Sequence, residues 1–171
     1  GVVVLASRSK AEIDPMEAWF YSVTTLSNVT IAPGVVLELL LGSYDSVAVV
    51  HSTLAGTAGE PIFLRSSQAG TSAYSYGSVS FSGVNARYLN IKLEPNFYLS
   101  GSSTLDQSDI SSTTPFNIEF GSVLENSSLF KVGLGNDTNV YNYGLIQHSN
   151  IHGSGNLRNK NSGEIISSRV V

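Results

Sequence analysis

His51, His148 and His152 are the chain's only imidazoles, and with no cysteine present they limit the metal and nucleophile chemistry available. His148 and His152 stand four residues apart in Gln147-His148-Ser149-Asn150-Ile151-His152, so on a strand both would share a face. A zinc ion would need a third ligand, and Glu164 and Asp137 are the nearest carboxylates. Two surface imidazoles on a polar face is the simpler reading. No Gly-x-Ser-x-Gly elbow occurs, and Gly133-Leu134-Gly135 lacks both the third glycine and the Lys-Ser/Thr of a phosphate loop. Polysaccharide hydrolysis needs two carboxylates at a set separation. Asp106 and Asp109, in Leu105-Asp106-Gln107-Ser108-Asp109, read as a turn, and no Asp-Asp pair exists. No catalytic residue, metal ligand or cofactor is assigned, and the chain is expected not to be an enzyme. A polysaccharide hydrolase or lyase is the alternative.

What remains is recognition. The chain has eight tyrosines, and Tyr74, Tyr76, Tyr98, Tyr141 and Tyr143 sit among Ser, Asn and Gly. Rigid phenol rings stack while neighbouring amides and hydroxyls hydrogen-bond, which suits a glycan or a protein receptor. These five residues form the candidate binding surface.

Composition narrows the setting. The 171 residues include 28 Ser, 10 Thr and 13 Asn, whereas charged residues make up 13%, against an ordinary share of about 25%. A net charge of −4 with scattered bases offers no footprint for nucleic acid. The longest apolar run, Val35-Val36-Leu37-Glu38-Leu39-Leu40-Leu41, carries a glutamate and falls far short of the ~20 residues a membrane helix needs. Gly1-Val2-Val3-Val4-Leu5-Ala6 lacks the basic start of a signal peptide. Neither nucleic-acid binding nor membrane insertion is expected, and disulfides are impossible.

The elements that would position these residues are almost entirely β. One helix signal stands out: Asp14-Pro15-Met16-Glu17 supplies an N-cap, a first-turn proline and a glutamate at N3. Met16, Trp19, Phe20 and Val23 follow on one face, which predicts a short capping helix over Pro15 to Tyr21. Beyond it, candidate strands include Val29–Ile31, Val35–Leu41, Ser46–Ser52, Ile62–Ser66, Ser78–Phe81, Ala86–Leu93, Phe116–Phe120, Leu129–Val132, Leu145–Ile151 and Glu164–Ser167. Asn142-Tyr143-Gly144-Leu145-Ile146 and Asn161-Ser162-Gly163-Glu164-Ile165 match at an offset of about 19, and Ser149/Ser168 and Ile151/Val170 continue the match. Gly121, Val123, Asn126 and Ser128 repeat its first half, with Leu129 slipped by one, and Gly77, Val79, Ser82 and Val84 fit it throughout. Glycines at 34, 56 or 59, 77, 101, 121, 144 and 163 recur at about one coil of a parallel β-helix. Each coil would bury its apolar face only against its neighbours, with Asn and Ser bonding the backbone at the bends. The expected fold is therefore all-β: a single-stranded right-handed parallel β-helix with a short N-terminal capping helix. An antiparallel sandwich or jelly roll is the alternative. One domain, 1–171, is expected, with strand and capping helix over 1–25 and coils over 26–171.

The segment Gly56-Thr57-Ala58-Gly59-Glu60-Pro61-Ile62-Phe63-Leu64-Arg65-Ser66-Ser67-Gln68-Ala69-Gly70-Thr71 resembles a passage common in large secreted and phage-encoded β-helix proteins. Tyr88-Leu89-Asn90-Ile91-Lys92 looks like the following coil, and the terminal Asn-x-Gly-x-Ile coils are similar to those of bacterial β-helical adhesins. The resemblance implies a tail-fibre, tailspike or adhesin setting, on a virion, on a cell surface or otherwise outside the cell. It carries no catalytic residues. The apolar ends, Gly1-Val2-Val3-Val4-Leu5 and Ile165-Ile166 with Val170-Val171, suggest open edges and self-association as a trimer or filament. The expected function is a structural or adhesive module that self-associates and binds a surface glycan or host receptor. The jelly-roll alternative would be a capsid or filament subunit.

Overall fold

A computed structural model of the chain describes residues 2–6, 23–41, 46–68, 78–93, 96–112, 114–131, 139–153, 156–160 and 162–171. The capping helix expected over Pro15 to Tyr21 lies outside these residues, as do Tyr74 and Tyr76. The described residues contain strands and turns and no helix.

Alternation decides each strand. In Ser46–Val50, Ser78–Ser82 and Asn96–Ser100, every second residue is buried and the residues between are half-buried. Such a strand has one core face and one outer face. Each strand is too short to bury that core face alone, so it pairs with its counterpart in the next coil. All pairings among the described residues are parallel, which excludes the sandwich and jelly-roll alternative. The strands sort into three sheets of eight, seven and seven members. The chain visits the first, second and third sheet in turn, seven times over, and ends on Arg169–Val170 in the first. The result is a parallel β-solenoid. Ile62–Arg65 pairs in register with Leu89–Lys92, so the coil read after Gly56–Thr71 is the next coil.

Stacking in register makes columns. On the first sheet Leu37, Leu64, Ile91, Ile110, Leu129 and Ile151 lie one above another and face inward. Leu54, Ala86, Leu105, Leu124 and Ile146 do the same on the third. On the second sheet Phe97 stacks on Phe116 with centroids 4.9 Å apart, and Phe81 meets Phe97 edge-on at 5.1 Å. Each such leucine, isoleucine or phenylalanine contributes about 1.5–3 kcal/mol through burial, and each does so only because the coils above and below are present.

The tight corners were hidden from the strand reading. The expected strands Ala86–Leu93 and Leu145–Ile151 are each two strands, broken by Tyr88 (φ 51°) and His148 (φ 49°). Gln107, Asn126 and Ser167 hold the same left-handed conformation at the same corner. After the last four of these residues comes an inward serine whose hydroxyl joins two coils. Leu89 N–H donates to Ser108 Oγ (3.0 Å), Ser108 N–H to Ser127 Oγ (3.0 Å), Ser127 N–H to Ser149 Oγ (3.2 Å) and Ser149 N–H to Ser168 Oγ (3.1 Å). Each hydroxyl in turn donates to the carbonyl two residues back in its own coil.

This ladder corrects the frame of the repeat. Ser122, Leu124, Ser127 and Leu129 are the counterparts of Gly144, Ile146, Ser149 and Ile151, so Leu129 is not slipped; the match on Gly121 began one residue early. The match on Gly77 is out of phase, because Val79 lies on the second sheet and Val84 at the next corner. The marker glycines likewise fall at different corners: Gly34 and Gly56 precede first-sheet strands, whereas Gly144 and Gly163 precede third-sheet strands.

Candidate ligand-binding face

Coil length varies mostly between a first-sheet strand and the second-sheet strand that follows. Two residues separate Leu93 from Asn96, nine separate Gln68 from Ser78, and sixteen separate Ala6 from Val23. Second-sheet strands nevertheless keep their mutual register, so their outward residues form continuous columns whatever the coil length.

One column matters most. Tyr98 is the register partner of Asn117, Asn117 of Tyr141, and Tyr141 of Arg158. Burial of Phe97 and Leu99, of Phe116 and Ile118, and of Val140 and Asn142 turns the residues between them outward. With strands ~4.8 Å apart, Tyr98 and Tyr141 stand ~10 Å from one another across Asn117. Both rings are half-buried, which fixes their orientation and leaves part of each surface to solvent. Asn139 Nδ2 donates to the Tyr141 hydroxyl (3.1 Å), and Asn117 Nδ2 donates to the Phe97 carbonyl (3.3 Å). The Arg158 guanidinium carbon and the Lys160 Nζ each lie 5.9 Å from the centroid of the Tyr141 ring, within cation–π range.

A second column runs beside it, one residue past the strand ends. Glu119 N–H donates to the Leu99 carbonyl, Tyr143 N–H to Ile118 and Lys160 N–H to Asn142, so Glu119, Tyr143 and Lys160 follow one another on successive coils. Phe120, beside Glu119, is 77% exposed. Three of the five tyrosines singled out from sequence therefore share one face: Tyr98 and Tyr141 in one column, Tyr143 in the next. Asn117, Arg158 and Lys160 were not singled out and belong with them. Asn117 lies 19 residues after Tyr98, one regular coil, but the step to Tyr141 crosses eight residues between Lys131 and Val140 and breaks any fixed offset.

No family model, no curated protein and no solved structure matches this chain.

The histidine pair does not form. His148 occupies an exposed corner, whereas His152 lies on the first sheet and stacks on Phe130, with centroids 5.2 Å apart and planes 13° from parallel. The strand parity assumed for the two is lost because the chain turns at His148. Among the described residues no group of three His, Asp or Glu could hold a metal ion. Asp106 ends one strand, Asp109 begins another, and Gln107 and Ser108 make the corner between them. The carboxylate pair that sequence reasoning missed is Asp106 with Glu125, register partners on adjacent coils of the third sheet. Arg87 precedes Asp106 in that column, and Asn126 Nδ2 donates to Asp106 Oδ1 (2.9 Å).

Proposed function

We propose that this chain is a non-enzymatic structural and adhesive β-solenoid module of a virion fibre or cell-surface protein, working outside the cell and binding a surface glycan or host receptor. The observation that carries the reading is the outward column Tyr98–Asn117–Tyr141, in which two oriented rings flank an amide on a stiff sheet. Sugar rings stack on phenols and their hydroxyls bond amides, and a stacked sheet holds those groups at a repeat that suits successive sugars. Self-association, as a trimer or filament, is part of the proposal, and the solution mass tests it.

The test is titration of the chain with a panel of neutral and acidic oligosaccharides, together with its solution mass. Binding that weakens about three- to tenfold in both Tyr98→Ala and Tyr141→Ala, with the fold intact by circular dichroism, is the expected result. Binding indifferent to both substitutions would sink the reading.

A second reading, polysaccharide hydrolase or lyase, is favoured by Asp106 and Glu125 alone. Their backbones are one strand spacing, ~4.8 Å, apart, and carboxyl groups ~5–5.5 Å apart suit a retaining glycosidase. New reducing or unsaturated ends in the same titrations, lost in Glu125→Gln, would favour it over the adhesive reading.

A further inference from the structure

We infer that the face around Tyr141 selects an acidic saccharide, one that carries a carboxylate, and that Arg158 and Lys160 receive that carboxylate. The inference rests on the glycan-binding reading above and names the substrate class. Arg158 lies on the strand Leu157–Asn159 and Lys160 one residue past its end, and both lie over the same Tyr141 ring at 5.9 Å, so two positive charges are gathered at one aromatic side chain. Among the described residues neither cation is ion-paired with a carboxylate. The local balance is also reversed. Residues 156–171 hold three bases (Arg158, Lys160, Arg169) and one acid (Glu164), whereas the whole chain has 9 bases and 13 acids. A pair of cations gathered on an acidic protein, with no ion pair among the described residues, is a place for an anion to bind.

The column sets the shape of that anion. From Arg158 through Tyr141 and Asn117 to Tyr98 is three strand spacings, ~14 Å, which is the length of a short oligosaccharide rather than of a lone carboxylate. The cations occupy one end, an aromatic ring lies next, an amide follows, and a second ring closes the far end. A uronate placed at Arg158 and Lys160 would thus continue onto Tyr141 with its next sugar and reach Asn117 and Tyr98 with those beyond. The guanidinium can take a carboxylate through two parallel N–H groups, while the ammonium contributes a point charge.

The experiment titrates the full chain with three probes: a hyaluronan octasaccharide (glucuronate in every second sugar), chitohexaose (uncharged) and dextran sulfate. The expected result is hyaluronan binding about tenfold tighter than chitohexaose. Arg158→Gln combined with Lys160→Gln should remove that preference. Arg158→Lys should retain part of it. Raising the salt to about 1 M, where charges are screened beyond ~3 Å, should also bring the two sugars together. A preference that survives the double substitution would overturn the inference. So would dextran sulfate binding that exceeds hyaluronan binding and ignores Tyr141→Ala, since that describes a surface selecting charge alone. If chitohexaose binds and hyaluronan gains nothing, the acidic selection fails while the glycan-binding face stands. If no probe binds, both fail.

Discussion

The two tight corners of the coil use the same residue types and are satisfied differently. Where the third sheet turns into the first, Ser108, Ser127, Ser149 and Ser168 form an unbroken ladder, each hydroxyl accepting from the coil before and donating within its own coil. Where the second sheet turns into the third, the ladder is interrupted. Val29 N–H donates to Ser52 Oγ (3.1 Å) and Val84 N–H to Ser103 Oγ (2.9 Å), but the next hydroxyl, Ser122 Oγ, is buried without a hydrogen-bond partner. Gly144 and Gly163 then replace the serine. The difference follows connection length. The last four corners of the first kind all have two residues, a left-handed residue and a serine, so equivalent atoms coincide. Those of the second kind hold two to four residues, and the added chain carries the N–H elsewhere: Ser103 N–H donates to Ser100 and Ser122 N–H to Glu119, each within its own coil. A ladder between coils needs constant length more than it needs serine.

Substituting at the interrupted corner should do the most damage where the serine has become glycine. A Cβ at Gly144 would meet the Ser122 carbonyl oxygen and lie 2.7 Å from that of Glu119, both of them backbone atoms with little room to move. Gly144→Ala is therefore expected to cost about 3 kcal/mol, measured as a lowered denaturation midpoint. A midpoint equal to that of the native chain would show that this corner is loose, and that the glycine records no close approach.

The continuous ladder predicts the next largest effect. Ser127→Ala removes the acceptor for the buried Ser108 N–H and the donor to the Glu125 carbonyl (2.6 Å). Orphaning buried backbone groups should cost about 2 kcal/mol. In native-state hydrogen exchange, the Ser108 amide should lose protection ahead of amides on the second sheet. Uniform loss of protection would mean that the ladder adds no local order.

The ladder also explains how much could be read in advance. The offset of 19 and the match of Ser149 with Ser168 were legible because those corners have constant length and an unvaried serine. The parallel fold followed from them, since chemically equivalent residues one coil apart are what stacking requires. The corner conformation was not legible. Left-handed backbone is usually marked by glycine, yet here Tyr88, Gln107 and His148 adopt it. Its cost, roughly 1–2 kcal/mol per residue, is offset by hydrogen bonds to other coils that no local window contains. The binding face was half legible. Tyrosine type singled out Tyr98, Tyr141 and Tyr143, but their alignment with Asn117, Arg158 and Lys160 depends on spacings of 19, 24 and 17 residues between successive partners. Charge posed the same difficulty. Asp106 and Glu125 become neighbours only once the coil frame is known.

The smallest expected effect lies within the interrupted corner and separates hydrogen bonding from serine itself. Ser103 and Ser122 hold equivalent positions on adjacent coils, and both are fully buried. Ser103 Oγ accepts from Val84 N–H and donates to the Ser100 carbonyl (2.6 Å), so Ser103→Ala should destabilise. Ser122 Oγ makes neither bond, and its burial brings a desolvation cost with no hydrogen bond in return. Alanine at 122 removes that cost and orphans no other group, while the missing oxygen leaves a gap smaller than a methyl group. Ser122→Ala should therefore be neutral or stabilising by up to about 1 kcal/mol, seen as an unchanged or raised midpoint at constant m-value. Opposite signs for the same substitution one coil apart would show that hydrogen bonding between coils, and not serine itself, stabilises the corner. A loss at Ser122 equal to that at Ser103 would instead mean that packing alone sets the cost at both.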